Sequence, residues 1–331
     1  MSRAAATQTK TIAGRPVGPV AFGMMNLTIF GNMPYEEGIK PLKAALENGA
    51  NFWNAGTFYG PPDANSLHLL KHYFTKYPED ASRVVLSVKG AYNGANQTPD
   101  CSPEGIRTAV DESLRVLDGL KSIDLFECAR VDPKVPIEIS VRALEQLIEE
   151  GKIGSYGLSE VNAATIRRAH AVYAPAAVEV ELSLFSRHVL EKGGVADTCR
   201  ELNIPLLGYS PLDRGWLTGQ FKTLDDLPKD DFRRMWPRFQ PGAFEQNVKL
   251  AEVVEGVAKK KGCTSAQVAI GWVIRQGVIP IPGARNVDRA IENCKVVELT
   301  DAEAAELQEA LDKTKVVGER YPEMFQEHLN Q

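Results

Sequence analysis

The chain has 331 residues, 44% of them hydrophobic and 24% charged, with a formal net charge of −5. This is ordinary globular composition, long enough to bury a core without disulfides or metals, and it excludes a disordered or fibrous chain. The acidic balance offers no global field for nucleic acid, and KKK at 259–261 reads as a short solvated patch.

Cys101, Cys128, Cys199, Cys263 and Cys294 are scattered, odd in number and without CxxC spacing. They point to a reducing compartment rather than to a disulfide frame or a zinc site. The opening MSRAAATQTK lacks an apolar signal core, and no apolar run is long enough for a bilayer. A cytoplasmic protein without metal or membrane span is expected, and no oligomer is indicated.

In chain order, TIAGRPVGPVAF reads as a small hairpin leading into a first strand, VAFGMM (20–25). YEEGIKPLKAALENG (35–49) is helical despite its proline, with Leu42, Ala45 and Leu46 on one face. The second and third strands are NFWNAG (51–56) and VVLSVKG (84–90). SPEGIRTAVDESLRVLDG (102–119) is a helix with a Ser-Pro start and a closing glycine. A fourth strand, DLFECARV (124–131), precedes the helix VPIEISVRALEQLIEEGK (135–152). The remaining strands are IGSYGLSEV (153–161), AVEVELSLF (177–185), IPLLGYSPL (204–212) and VIPIPGA (278–284), the last preceded by the Thr264-capped helix TSAQVAIGWVIRQG (264–277).

Eight short apolar strands alternating with helices predict a parallel sheet closed as a (β/α)8 barrel. A doubly wound open sheet would carry GxGxxG after its first strand, and GMMNLTIFGN lacks it. Residues 213–243, polar and rich in Pro, Arg and Trp, form a long loop after the seventh strand, on the face where barrels do chemistry. Trp216 and Trp236 in it either cover a ligand or pack. The ending VGERYPEMFQEHLNQ either folds over the same face or is a loose terminus.

The strand ends then share one mouth: Asn54 and Tyr59 after the second, Lys89 after the third, Ala129 and Arg130 after the fourth. Ser159 and Glu160 end the fifth, Glu179 and Glu181 lie in the sixth, Tyr209 and Ser210 end the seventh, and Gly283, Arg285 and Arg289 follow the eighth. Lys89 is either a lysine reaching out to water or a buried cation in need of a partner. Beside Tyr59 it would lower the phenol's pKa and make it a general acid; Tyr59 as a plain turn residue is the other reading. Arg285 and Arg289, four apart at a helix start, suit an anion or a solvated helix face. Tyr209 either stacks on a flat ring or closes the barrel.

Seven segments in order, FWNAGTFYG, LSVKG, DLFECARVDP, IGSYGLSEVN, VEVELSLFSR, LGYSPLDRGWLTGQF and IPIPGARNVDRAIEN, make the chain resemble the aldo-keto reductases over nearly its whole length. The resemblance implies a barrel that binds NADPH without a Rossmann domain. It implies Tyr59 as proton donor and Lys89 as its partner. Tyr209 would stack under the nicotinamide, with Ser159 near the carboxamide. Arg289 and Asn293 would hold the adenosine end, Arg289 meeting the 2′-phosphate with Arg285 close by, and Ser210, Leu212 and Gly283 would also bind the cofactor. Four positions depart from the family pattern: Asn54 for Asp, Ala129 for His, Glu160 for Asn and Glu179 for Gln. Asn54 leaves the charge of Lys89 uncountered while holding it through the amide oxygen, and Glu160 and Glu179 accept from the carboxamide. FWNAG with FECARVDP is closest to the fungal pyridoxal reductases, which implies NADPH-dependent reduction of pyridoxal, whose 3-hydroxyl replaces the missing histidine. Met25, Trp53, Phe126, Ala129 and Arg130 are the expected substrate lining. A broader aldehyde reductase and a weakly active NADPH-binding sensor subunit are the rival expectations.

Overall fold

The computed structural model describes residues 10–30, 33–323, 326 and 329. Most of the MSRAAATQTK opening and part of the chain's ending lie outside these residues. The strands β1 (Lys10–Ile12) and β2 (Arg15–Val17) form an antiparallel hairpin. Then come β3 (Phe22–Gly23), β4 (Phe52–Gly56) and β5 (Val85–Gly90), followed by a second small hairpin of β6 (Tyr92–Asn93) and β7 (Thr98–Pro99). Five more strands complete the series: β8 (Leu125–Cys128), β9 (Tyr156–Ser159), β10 (Ala177–Glu181), β11 (Leu206–Tyr209) and β12 (Ile279–Ile281).

β3, β4, β5 and β8 to β12 pair in sequence order, every pair parallel. Ala21 N donates to Pro280 O at 2.9 Å and Gly23 N to Pro282 O at 3.0 Å, which brings the last strand back to the first. The sheet is the expected barrel. The read strands are longer than the observed ones: the second and third begin one residue earlier, and the last residues of the other six leave the ladder.

Helices fill the crossovers. They are α1 (Met25–Thr28), α2 (Tyr35–Glu47), α3 (Ser66–Lys76), α4 (Pro103–Leu117), α5 (Ile137–Glu149), α6 (Ala163–Val172), α7 (Val195–Glu201), α8 (Ala243–Lys261), α9 (Ser265–Arg275), α10 (Val287–Cys294) and α11 (Asp301–Lys313). Their starts follow side-chain chemistry. Ser102 accepts from Gly105 N, with Pro103 opening α4, and Thr264 and Gln267 cap α9 reciprocally.

Strand parity sorts the interior into layers. Phe52, Val85, Leu125, Ala177, Leu207 and Ile279 point inward at the N-terminal end, and Ile12 and Val17 of the hairpin pack on them as a floor. Two residues further along, the inward positions turn polar: Asn54, Ser87, Glu127 and Glu179, all buried. Barrel interiors are normally filled by branched apolar side chains, so this layer marks where stability has yielded to chemistry.

Candidate active site

Tyr59 is aimed by its own backbone. After β4 the chain turns at once: Tyr59 N donates to Gly56 O at 3.2 Å, and Tyr59 O accepts from Thr28 Oγ1 at 2.6 Å and Ser66 N at 3.1 Å. Gly60 follows with φ +114°, and a Cβ there would stand 2.7 Å from the Thr28 carbonyl oxygen, so only glycine closes this turn. Asn65 then starts α3, accepting from Leu67 N and donating to Thr57 O, both at 2.9 Å. The sharp stop after NFWNAG thus fixes a phenol that is 8% exposed.

The Tyr59 hydroxyl donates to Asn54 Oδ1 at 3.4 Å, and Asn54 Nδ2 donates to Glu179 Oε2 at 2.8 Å. Glu179 Oε1 forms the ion pair of Lys89. The expected direct hold of Asn54 on Lys89 is therefore corrected: Lys89 bonds to Glu179, and Asn54 reaches that same carboxylate. Glu179 is the counter-ion that Asn54 cannot be. Burial is the largest single influence and works against the Lys89 charge, but Glu179, Tyr59 and Glu127 together outweigh it and hold the ammonium pKa above its usual value.

The expected lowering of the Tyr59 pKa is also overturned. Burial pushes it up, to about 12; Lys89 and Arg130 pull it down, while Glu179 and Glu127 push with the burial. Tyr59 is a firmly protonated phenol.

Glu127 completes the layer. Ser87 Oγ donates to its Oε2 at 3.3 Å and Lys89 Nζ lies 4.0 Å from that oxygen, but no donor among the described residues reaches Oε1. Gly157 makes the room: a Cβ there would stand 2.7 Å from Glu127 Oε1. Burial and the neighbouring Glu179 charge raise the Glu127 pKa well above its ordinary 4.5. Between pH 4.5 and its native pKa the folded chain holds a proton that the unfolded chain has released, so stability falls as pH rises through that window. Glu127→Gln mimics the protonated acid and removes the fall. It is expected to raise the melting temperature by at least about 2 °C at pH 8, with the gain shrinking toward pH 5.

Parity corrects two lining residues. Trp53 is fully buried, its ring 5.0 Å from Tyr73 and 6.1 Å from Phe74 of α3, and Phe126 is fully buried against Gly90 and the α4 side. Both alternate with inward neighbours and face the helices. Met25 is 43% exposed, Arg130 is half-buried with Nη1 donating to Ala129 O at 2.6 Å, and Ala129 itself is buried.

Above this layer the mouth is lined by buried acids under arginines. Glu160 Oε1 accepts from the Tyr209 hydroxyl at 2.9 Å and from Glu181 N at 3.1 Å, and its Oε2 pairs with Arg320 at 3.0 Å. Glu181 pairs with Arg320 at 3.2 Å and with Arg214 at 3.1 Å, and Asp213 pairs with Arg238 at 2.9 Å. Tyr321 meets the Tyr209 hydroxyl at 3.0 Å and lies under the Arg214 guanidinium at 4.7 Å. The chain's ending thus folds over the mouth, at least as far as Tyr321. Arg320→Ala strips one cation from two buried acids and is expected to cost about 2–4 kcal/mol in denaturant unfolding. Arg320→Lys should recover only part, since one ammonium replaces a two-pronged fork.

The long loop is four short 3-10 turns between Asp213 and Phe239. Trp216 packs, fully buried, among Phe185, Phe239 and Phe244, whereas Trp236 stands at the mouth with Arg214 over its ring. Phe232 reaches across to Phe30 at 5.2 Å. Ala91, Glu160 and Ser210, directly after β5, β9 and β11, hold φ of 52°, 54° and 51°. Such left-handed backbone costs about 1–3 kcal/mol a residue and gathers at functional sites.

The sequence profile described as the aldo/keto reductase family matches residues 19–312. The chain belongs to the aldo/keto reductase family. Over 96% of its length it is 41% identical to "Probable pyridoxal reductase 2" of Schizosaccharomyces pombe (strain 972 / ATCC 24843), covering 99% of that protein. It is 38% identical to "Aldo-keto reductase yakc [NADP(+)]" of the same organism, over 95% of this chain and 94% of that one. Among solved structures, the glycerol dehydrogenase AKR11B4 from Gluconobacter oxydans superposes with a TM-score of 0.82 at 28% identity, over 94% of this chain and 96% of that one.

The reductase family works with NAD(P)H, and this chain's residues fit such a cofactor at two places. Ser159 Oγ is buried at the end of β9 without a hydrogen-bond partner among the described residues, a group left over for a carboxamide. At the far end, Gly283, Arg285 and Arg289 stand where α10 begins and Asn293 near its end, with both arginines exposed. Asn286 caps that helix by accepting from Arg289 N at 2.9 Å, so Arg285 lies before the helix and the expected shared helix face does not form. Arg289 pairs with Glu292 at 2.6 Å, and Asn293 Nδ2 reaches Gly283 O at 3.5 Å. The expected carboxamide contacts of Glu160 and Glu179 compete with the bonds these acids already make. Ser210 and Leu212 form the turn after β11, where their carbonyls accept from Asp213 N and Gly215 N.

Sequence reasoning missed Glu127, Ser87, Arg320 and Tyr321. Glu127 had a signal, an acid between the apolar Phe126 and Cys128 on a strand; the tail residues had none.

Proposed function

We propose that this reductase converts pyridoxal to pyridoxine with NADPH and runs the reverse with NADP+. One observation carries the reading: a phenol and an ammonium, Tyr59 and Lys89, stand buried together at the mouth of a reductase barrel. The substrate rests on the full-length similarity to a protein named a probable pyridoxal reductase, and NADPH on a relative whose name specifies NADP(+).

When bound, NADPH supplies a hydride to the aldehyde carbon. Tyr59, protonated through neutral pH, gives its proton to the carbonyl oxygen. Lys89, held cationic by Glu179, stabilises the negative charge that develops on the phenol oxygen. Ser159 is the free donor for the cofactor amide, and Arg289 the exposed cation for a 2′-phosphate. Ala129 offers no hydrogen-bond donor, and pyridoxal carries one of its own in the 3-hydroxyl beside its aldehyde.

The test is loss of NADPH absorbance across a panel of aldehydes. Pyridoxal should lead in kcat/KM, and 3-deoxypyridoxal should fall behind by at least about tenfold. Equal rates for that pair would remove the 3-hydroxyl role, and another leading aldehyde would make this a broader reductase. The mouth filled by Arg320 and Tyr321 favours a second reading, an NADPH-binding subunit with little turnover. Tight NADPH binding with no reduction of any aldehyde would establish it.

A further inference from the structure

Lys89 and Glu179 lie 90 residues apart, on β5 and β10, with β8 and β9 between them in the sheet, so their ion pair crosses the barrel interior. Glu179 holds Lys89 with one oxygen and the Asn54 amide with the other, while the other end of that amide accepts from Tyr59. Phenol, amide, carboxylate and ammonium form a continuous chain, no member more than 8% exposed, so solvent screens none of it. Among the described residues the other acid near the ammonium is Glu127, its Oε2 4.0 Å away.

We propose that Glu179 is the positioning residue of the proton-donor site: its carboxylate fixes the Lys89 ammonium and, through Asn54, sets the place and electrostatic surroundings of the Tyr59 hydroxyl. This rests on the reading of Tyr59 as proton donor. The charged and titratable groups that act on Tyr59 come from several elements: Lys89 on β5, Glu127 on β8, Arg130 just beyond it, and Glu179 on β10. Without the Glu179 carboxylate, the ammonium loses its directly bonded counter-ion and keeps only Glu127, 4.0 Å away.

The experiment compares Glu179→Gln, the double variant Asn54→Asp/Glu179→Gln and wild type. It reads kcat against pH for aldehyde reduction and the melting temperature without cofactor. Glu179→Gln should lower kcat at least about tenfold. It should also move the alkaline fall of kcat to lower pH, because the larger of the two acidic influences that oppose ionisation of Tyr59 is gone. The double variant, which returns a carboxylate to the other side of the same chain of bonds, should recover most of the rate, the limb and the melting temperature. Wild-type kcat and pH profile in Glu179→Gln would overturn the inference. So would a double variant that fails to recover turnover, or fails to fold. Full activity of Tyr59→Phe would strike the proton-donor reading itself, which separates the two failures.

Discussion

Tyr59→Phe is expected to lower kcat for aldehyde reduction by about 10²–10⁴-fold, the range that one positioned proton donor supplies. NADPH affinity should stay unchanged, because the ring still fills its place and the bonds that hold the turn come from backbone atoms. The hydroxyl makes one long bond, to Asn54, so its loss leaves no strongly paired group stranded. The pH dependence follows from the upward shift. With a pKa of about 12, Tyr59 keeps its proton across the neutral range, and reduction should show no loss from its ionisation until the pH approaches that value. Alcohol oxidation needs the phenolate and should rise with pH over the same span. Stopped-flow traces with NADPH in excess separate the missing chemical step from any change in binding.

How much of this was legible in the sequence depended on whether a contact lies along a strand or across the barrel. The eight strands, the hairpin and the order of the mouth residues follow from apolar periodicity, which is local. Tyr59 and Lys89 were readable for the same reason, as polar residues at the ends of adjacent strands whose pairing sets Gly56 opposite Lys89. Trp53 and Phe126 were misplaced because a strand end alone does not say which parity faces inward; the polar Asn54 and Glu127 beside them carried that information. The Tyr59 pKa was misjudged because a lysine neighbour can be read from a motif, whereas the depth of burial that outweighs it cannot. The departures at positions 54 and 179 looked like separate losses and gains. In the barrel they meet: the charge absent from Asn54 stands on Glu179, which holds the same lysine. Arg320 and Tyr321 left no sequence signal at all, since a tail's docking place depends on the acids it finds, here Glu160 and Glu181.

Lys89→Met should do two separable kinds of damage. It removes the cation that stabilises the developing phenolate, so kcat should fall by about 10²–10⁴-fold, as for Tyr59→Phe. It also leaves Glu179 buried without its partner beside Glu127, and breaking a buried pair by removing one side costs about 3–5 kcal/mol. The variant should therefore unfold at lower denaturant as well as turn over slowly. Lys89→Met/Glu179→Gln tells the two effects apart. Removing both charges leaves an apolar side chain and an amide that still reaches Asn54, so most of the lost stability should return. Turnover should not return, because no cation faces Tyr59. If activity recovered along with stability, the catalytic part of Lys89 would be refuted, and its conformational part alone would remain. If neither recovered, Glu179 would not be what the lysine is there to meet. A double-mutant cycle in both observables, unfolding free energy and kcat, gives the coupling of the pair directly. A coupling large in stability and near zero in kcat would assign Glu179 to holding Lys89 and nothing more, whereas coupling in both places the two charges in one proton-donor unit.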